Sequence, residues 1–275
     1  MEPMKKRELL KHLVSVLVDE RARMLGQPME VAIPEDIDGL WTLFRVLVNV
    51  RPPAPAMPAF LDLQDELLRA VIAEKGIATV DDAQPAPGDP RMRLWRGDIT
   101  ALAVDGIVNA ANSQMLGCWQ PGHHCIDNAI HTYAGIQLRQ ECADMMREQG
   151  REEPTGQAKV TRAYNLPAKR IIHTVGPIAG GQPTDEHRAQ LAQCYRSCLD
   201  AAVEAKLRSV AFCCISTGVF GFPQVEAAKI AASTVRAWLD EHDMAPDNGL
   251  IVVFNVFSGE DEAIYRRILG FDSRA

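Results

Sequence analysis

Residues 118–128 form the segment richest in reactive side chains. Two thiols and two imidazoles, Cys118, His123, His124 and Cys125, fall within eight consecutive positions. Cysteine and histidine are the usual ligands of zinc, and a proline–glycine pair between them lets the chain turn so that they converge. Three interpretations are open: a closed structural zinc site with four ligands, a cluster that binds no metal, and an open zinc site. We favour the open site, with Cys118, His123 and Cys125 as ligands, because catalytic zinc keeps its fourth position for water or substrate.

Asp127 and Asn128 follow the last of these ligands closely. Asp127 stands two positions after Cys125, at the predicted start of a helix, so its carboxylate is expected close to the metal. Zinc can lower the pKa of bound water to about 7, and it can polarise a substrate oxygen. Two roles are therefore open for Asp127: a general base that orients or deprotonates the water, or a residue that only caps the helix.

Three further segments could bind a small polar ligand. Gly97-Asp98-Ile99-Thr100 offers a carboxylate that can accept hydrogen bonds. Residues 108–112, Val-Asn-Ala-Ala-Asn, place two side-chain amides beside small residues, which suits close approach of a ligand. Residues 216–223, Ser-Thr-Gly-Val-Phe-Gly-Phe-Pro, can hold a diphosphate by backbone amides before a helix. No lysine follows these glycines, so the segment does not match the P-loop. Each segment alone is also compatible with an ordinary turn.

A sheet must position these segments, because they follow β-rich runs. From residue 91 onward strands alternate with helices, which predicts an α/β fold whose central, largely parallel sheet is covered on both faces. Ligands of such folds bind at the carboxyl ends of the strands, in the loops that lead to helices. The predicted strands are Arg91–Trp95, Gly106–Val108, Lys159–Arg162, Arg170–Thr174, Ser209–Ile215 and Leu250–Val256, and the predicted helices are Asp127–Glu148, Glu186–Ala205, Pro223–Glu241 and Glu260–Leu269.

The N-terminal third is predicted to be a helical extension. Apolar residues recur there at helical spacing, Pro34-Glu35-Asp36 opens a second helix, and a third covers Phe60 to Glu74. Residues 81–90 contain the prolines and acidic residues that are typical of a linker. The sequence therefore predicts two regions: residues 1–90, the helical extension and linker, and residues 91–275, the α/β domain.

Composition and charge exclude several classes of partner. The chain has 275 residues, of which 47% are hydrophobic, and a formal net charge of -7. We expect it to bind neither nucleic acid nor a membrane, because both binding modes favour a basic surface. A small anion held by backbone amides remains compatible with this charge. We expect neither a signal peptide nor a spanning segment, because charged residues interrupt the apolar positions. The seven cysteines, an odd number, indicate reduced thiols, and we expect a cytoplasmic protein.

Taken together and in this order, the four segments resemble the macrodomain family. The insert that carries Cys118, His123 and Cys125 is similar to the zinc-containing branch of its MacroD-type group, and the resemblance spans about residues 91–269. It implies a three-layer α/β/α sandwich with a mixed, largely parallel sheet, an N-terminal helical extension, and one Zn²⁺ per chain. MacroD-type enzymes usually carry a run of glycines before the equivalent of Asp127. This chain does not, which fits the zinc branch.

The resemblance also implies roles for individual residues. Asp98 would bind the adenine amino group of ADP-ribose, Asn112 would face the distal ribose, and Asp127 would be catalytic together with Asn112. The diphosphate would lie on the backbone amides of the loop that begins at Ser216. The residues expected to contact ADP-ribose are Asp98, Ile99, Asn109, Asn112, Cys118, Asp127, Asn128, Ser216, Thr217, Gly218, Val219 and Phe220.

Two functions of different classes are compatible with these residues. The favoured one is a zinc-dependent hydrolase that removes mono-ADP-ribose from modified proteins and releases ADP-ribose. The alternative is a module that binds ADP-ribose without cleaving it, and a third, less favoured class is a protein whose zinc only staples a loop. The Cys-His-Cys cluster beside Asp127 favours the enzyme, because a pure binding module does not need it. The resemblance implies that the partner is a mono-ADP-ribosylated protein. A lipoyl-carrier protein modified by a sirtuin-type transferase is one such partner.

Overall fold

The computed structural model describes residues 1–242 and 249–272. Its strands are β1 (Ala78–Thr79), β2 (Gln84–Ala86), β3 (Asp89–Arg96), β4 (Leu102–Ala103), β5 (Gly106–Ala111), β6 (Ala158–Arg162), β7 (Arg170–Val175), β8 (Ser209–Phe212) and β9 (Ile251–Val256). Its helices are α1 (Pro3–Leu25), α2 (Ile37–Val50), α3 (Pro58–Glu74), α4 (Ile126–Ala134), α5 (Ile136–Gln149), α6 (Asp185–Glu204), α7 (Gln224–Glu241) and α8 (Gly259–Ile268). Within the described ranges, no helix combines the length and the apolar character that crossing a bilayer requires.

The centre of the molecule is a seven-stranded sheet in the order β2-β3-β9-β8-β5-β7-β6. The inner strands pair in parallel, whereas the edge strands β2 and β6 run antiparallel to their neighbours. Helices contact the sheet along its length, among them α6 on β6 and β7 and α8 on β3 and β9. The predicted α/β class with a mixed, largely parallel sheet is confirmed.

The inner strands are buried as continuous runs. All four residues of β8 are buried, as are five of the six residues of β9. Such runs, rich in valine, isoleucine and phenylalanine, are typical of strands with both faces covered. The sheet therefore lies inside the molecule, and polar side chains gather where its strands end.

In the N-terminal extension, α1 packs on both α2 and α3 around a hydrophobic cluster that also includes Ile136 of α5. Leu10, Leu13, Leu40, Phe44 and Leu67 are completely buried in it. The extension also contacts the rest of the protein, because α2 and α3 both pack against α4. These helices were predicted, whereas the division of the chain at residue 90 stays a prediction.

The predicted linker, residues 81–90, instead forms part of the fold. β2 pairs antiparallel with β3, and Ala83 and Ala86 are buried. Pro85 is tolerated because β2 is an edge strand, where a missing backbone N–H breaks no ladder on the outer side. The proline content that suggested a linker therefore marks a sheet edge.

The helix predicted over residues 127–148 is two helices, α4 and α5, separated by Gly135. This residue has φ of 104°, and a Cβ atom there would lie 2.6 Å from the Gln137 side chain and 2.7 Å from Gln64 of α3. The apolar periodicity continues across the break, which is why the sequence predicts one helix. The strand predicted to reach Ile215 likewise ends at Phe212, and the chain then turns through Ser216, whose φ is 66°.

Candidate functional site

The structure brings together the three residues predicted to bind zinc. One ligand atom each from Cys118, His123 and Cys125 lies within 4.8 Å of the others, and Cys118 Sγ is 3.4 Å from His123 Nδ1. Two ligands of one tetrahedral zinc are about 3.5 Å apart, given zinc–ligand distances of about 2.0–2.3 Å. His124, in the described part of the chain, is outside this group. The donor set and its spacing therefore fit three ligands of one zinc ion.

The loop that carries these residues turns at two glycines and ends in a helix cap. Gly117 and Gly122 have φ of 78° and 67°, a conformation that glycine adopts without strain. Cys125 is the N-cap of α4, and its Sγ accepts a hydrogen bond from Asn128 N at 3.4 Å. Burial raises the pKa of the Cys125 thiol to about 12, so this thiol is protonated at neutral pH in the metal-free protein.

Asp127 lies in the first turn of α4, with its carboxylate turned toward β5. Asn109 Nδ2 donates to Asp127 Oδ1 at 2.8 Å, and Asn112 Nδ2 donates to Oδ2 at 3.3 Å. Burial raises the pKa of Asp127 to about 6, against the opposing effect of these hydrogen bonds and of Arg139. The N-cap of α4 is Cys125 and not Asp127, so helix capping, one of the two roles that the sequence allowed, does not account for this carboxylate.

Asn109 is the first residue of a chain of hydrogen bonds that continues through His173 and Thr161. Its Nδ2 lies 3.1 Å from His173 Nδ1, and His173 Nε2 lies 2.9 Å from Thr161 Oγ1. Burial lowers the pKa of His173 to about 3, so the ring is neutral. With Nδ1 as the acceptor, Nε2–H donates to Thr161, which in turn donates to the carbonyl oxygen of Arg162. This chain fixes which way the Asn109 amide points.

Neither His173 nor Thr161 is among the candidates of the sequence analysis. The feature that links His173 to the site is strand pairing, because His173 on β7 lies opposite Asn109 on the neighbouring strand β5. A single sequence does not reveal which strands are neighbours, so this link between β5 and β7 was out of reach.

Asp98 follows β3 and is the N-cap of a short 3₁₀ turn. Its Oδ1 accepts from Thr100 N at 2.9 Å and from Thr100 Oγ1 at 2.6 Å, and its Oδ2 accepts from Lys75 Nζ at 2.6 Å. Burial acts to raise the pKa of Asp98, but the hydrogen bonds from Lys75 and Thr100 outweigh it and the net shift is downward. Ile99 is buried, so its side chain is not available to a ligand.

The loop of residues 216–222 presents free amides after β8. Phe222 N donates to Ser216 O at 2.9 Å, which closes the loop. Among the described residues, the N–H groups of residues 217–220 donate to no protein acceptor. Amides left free before a helix, here α7, are suited to an anion. Val219 is exposed and Phe222 is buried, so Phe222 is a core residue rather than a wall of the site.

Phe257 is a candidate that the sequence analysis missed. It directly follows β9, and the residue is 79% exposed. Asn255 Nδ2, on the same strand end, donates to Gly97 O at 2.9 Å and so ties β9 to the turn that carries Asp98. An exposed aromatic ring beside such a turn offers a face on which a planar ligand can stack.

The polar groups thus lie along one edge of the sheet, because the carboxyl ends of parallel strands meet there. The strand order β3-β9-β8-β5 places them in sequence: Asp98, Phe257, the free amides of the 216–222 loop, and Asn109 with Asp127. The metal-ligand group stands at the β5 end. Such a row suits an elongated ligand with an anionic middle.

Comparison with known proteins agrees with this geometry. Residues 108–231 match the family model of the Macro domain. A protein of Treponema medium named protein-ADP-ribose hydrolase is 51% identical over 94% of this chain and 96% of its own length. One of Staphylococcus aureus with the same name is 46% identical over 94% and 95%. These alignments extend well before the Macro domain, so they include N-terminal helices.

Solved structures show the same fold. The Oceanobacillus iheyensis macrodomain with ADP is 41% identical, covers 66% of this chain and 90% of its own, and gives a TM-score of 0.58. The Trypanosoma brucei macrodomain in complex with ADP-ribose is 32% identical, covers 82% and 95%, and gives a TM-score of 0.62. The fold expected from the resemblance is confirmed. Because the two curated hydrolases are 51% and 46% identical over 94% of this chain, the protein belongs to the macrodomain family and is a hydrolase.

Proposed function

We propose that this protein is a zinc-dependent hydrolase that removes mono-ADP-ribose from modified proteins and releases ADP-ribose. One observation carries the proposal: a buried carboxylate, Asp127, is held by two amides, two residues after the last of three convergent metal ligands. The names of the curated relatives and the ADP and ADP-ribose complexes of the structural neighbours support it.

The row of groups along the sheet edge matches the parts of ADP-ribose in order. The adenine stacks on Phe257 and its amino group donates to Asp98. The diphosphate lies on the free amides of residues 217–220 and gains from the N-terminus of α7. The distal ribose then reaches Asn112, at the end of the row where the protein side chain is attached.

Asp127 is positioned to take a proton. Each of its carboxylate oxygens accepts one bond from an asparagine, so each retains a lone pair. A water molecule attacks the anomeric carbon of the distal ribose and gives one proton to Asp127. The bond from that carbon to the protein side chain breaks, and the departing side-chain atom receives the proton. A positioned general base of this kind contributes about 10²–10⁴ in rate.

The zinc ion would be held by Cys118, His123 and Cys125. When bound, it supplies Lewis acidity toward an oxygen of the substrate or of water. Asn109 and Asn112 keep the Asp127 carboxylate oriented beside this group, and the surrounding helices exclude bulk water from it. The Asp127 side chain is only 7% exposed.

The test is release of ADP-ribose from mono-ADP-ribosylated protein, measured with and without a chelator. We expect release by the wild type, loss of release with the chelator, and recovery on adding zinc. A sirtuin-modified lipoyl-carrier protein and a generic mono-ADP-ribosylated protein are compared as substrates in the cytoplasmic reducing conditions we infer. Tight binding of ADP-ribose without release would leave a binding module, and release unaffected by the chelator would overturn the role of zinc.

A further inference from the structure

Helix α2 of the N-terminal extension contacts the loop that carries the metal ligands. Arg45 Nη2 donates to the carbonyl oxygen of His123 at 3.2 Å and to Asn128 Oδ1 at 3.3 Å. One guanidinium therefore bridges the backbone of a ligand residue and the first turn of α4. Its side chain is half-buried, so these bonds are only partly exposed to water.

Asn49 makes a second pair of contacts from the same face of α2. It lies four residues after Arg45, a spacing that places both side chains on one side of a helix. Asn49 Oδ1 accepts from Gly122 N at 3.2 Å, and its Nδ2 donates to Thr132 Oγ1 at 3.1 Å. Because Gly122 is the turn residue immediately before His123, this side chain holds the turn itself.

The end of α2 is anchored beside the same loop. Arg139 of α5 donates to the carbonyl oxygens of Val48, Asn49 and Arg51 at 3.2, 2.8 and 2.7 Å. These are carbonyls at a helix C-terminus, which lack partners within the helix. The guanidinium of Arg139 also lies 4.2 Å from the ring centroid of Trp119, on the loop. The position of α2 is thereby fixed relative to both ends of the loop.

We infer that α2 is a structural part of the metal centre, with Arg45 and Asn49 as positioning residues that hold the Cys118–Cys125 loop in its metal-binding shape. The inference rests on the proposed zinc site. The loop makes few bonds of its own, such as His123 N to Gln120 O at 3.2 Å, so most of its order comes from outside. Partners that orient metal ligands typically change metal affinity by about 10- to 100-fold when they are removed.

The experiment measures zinc affinity of the full chain by competition with a chromogenic chelator. Arg45→Met keeps side-chain length but removes both donors, and Asn49→Ala removes the acceptor for Gly122. Arg69→Met is the matched control, because Arg69 also joins the extension to the macrodomain, through Asn165 Oδ1 at 3.1 Å, and is not a partner of the metal loop. We expect the first two changes to weaken zinc binding about 10- to 100-fold and the control to leave it within about two-fold.

Two further measurements separate positioning from general damage to the fold. Arg45→Lys restores a charge but not the paired donors, so it is expected to recover only part of the affinity. Bound cobalt reports ligand geometry directly, and its visible spectrum is expected to change in Arg45→Met while the control matches the wild type. If a variant does not fold, amide hydrogen exchange of the metal-free wild type provides the test. The Gly122 amide is expected to be protected by Asn49, and exchange without protection would overturn the inference.

The outcomes distinguish this inference from the proposed function. A wild type that binds no zinc would overturn the zinc site, and with it the inference. A wild type that binds zinc, with Arg45→Met and Asn49→Ala binding it equally tightly, would overturn the role of α2 alone. Equal losses in all three variants, Arg69→Met included, would mean that the extension only stabilises the fold.

Discussion

Replacing Asp98 with alanine tests the adenine end of the proposed ligand row. Two hydrogen bonds from Thr100 and one from Lys75 already reach this carboxylate, and Oδ2 keeps a lone pair for a ligand. The side chain is 35% exposed, so a ligand can reach it. A hydrogen bond to a charged acceptor is worth about 1.5–3 kcal/mol. We therefore expect Asp98→Ala to weaken ADP-ribose binding about 10- to 150-fold in calorimetric titrations.

Asp98 also caps a turn, so its contact with the ligand must be separated from its effect on local structure. Thr100→Val removes the hydroxyl's bonds with Asp98 and Lys75 but leaves the Asp98 acceptor in place. It is expected to lower stability by about 1 kcal/mol with little change in Kd. A ligand control is inosine diphosphate ribose, which lacks the amino group. The wild type should prefer ADP-ribose to it, and Asp98→Ala should bind the two alike. Wild-type affinity of Asp98→Ala for ADP-ribose would refute the adenine role.

Three other results are expected. In metal analysis, His123→Ala should contain much less than one zinc per chain, whereas His124→Ala should still contain about one. Undiminished zinc in His123→Ala would mean that His123 is not a zinc ligand. Gly135→Ala should lower the free energy of unfolding by about 1–3 kcal/mol, because φ of 104° is a glycine conformation. In the control Gly88→Ala, where the added Cβ meets open space, the free energy of unfolding should stay within about 0.5 kcal/mol of the wild-type value. The buried His173 has its pKa lowered to about 3, so the unfolded chain gains its proton first as the pH falls below about 6.5. In urea titrations, the stability advantage of the wild type over His173→Gln should then shrink between pH 6.5 and 5, with a slope that approaches about 1.4 kcal/mol per pH unit at the acid end. A constant difference would mean that His173 is not held neutral.

The sequence predicts the sheet and the positions of Asp98, Asn109 and the 216–222 loop for one physical reason. Parallel strands alternating with helices bring all their carboxyl ends to one edge, so polar residues after successive strands must meet there. The metal group was predictable because its ligands lie within one short loop. The break between α4 and α5 at Gly135 was not predictable, because it depends on contact with the side chain of Gln64, which lies on α3.

Contacts between distant parts of the chain account for the rest. Lys75 reaches Asp98 from the N-terminal extension, and Arg45 and Asn49 reach the metal loop from more than 70 positions away. Amphipathic periodicity shows that α2 has a buried face, but it does not show which loop lies against it. His173 likewise gains its meaning only from the pairing of β7 with β5.

We propose that Asp127 carries the proton in hydrolysis at a zinc site, and Asp127→Ala separates this role from ligand binding and from stability. Zinc content, ADP-ribose affinity, melting temperature and release of ADP-ribose from mono-ADP-ribosylated protein are measured on the same preparation. We predict that zinc and binding are retained while turnover falls by about 10²-fold or more. Full turnover in this variant would contradict the account and leave Asp127 a structural residue.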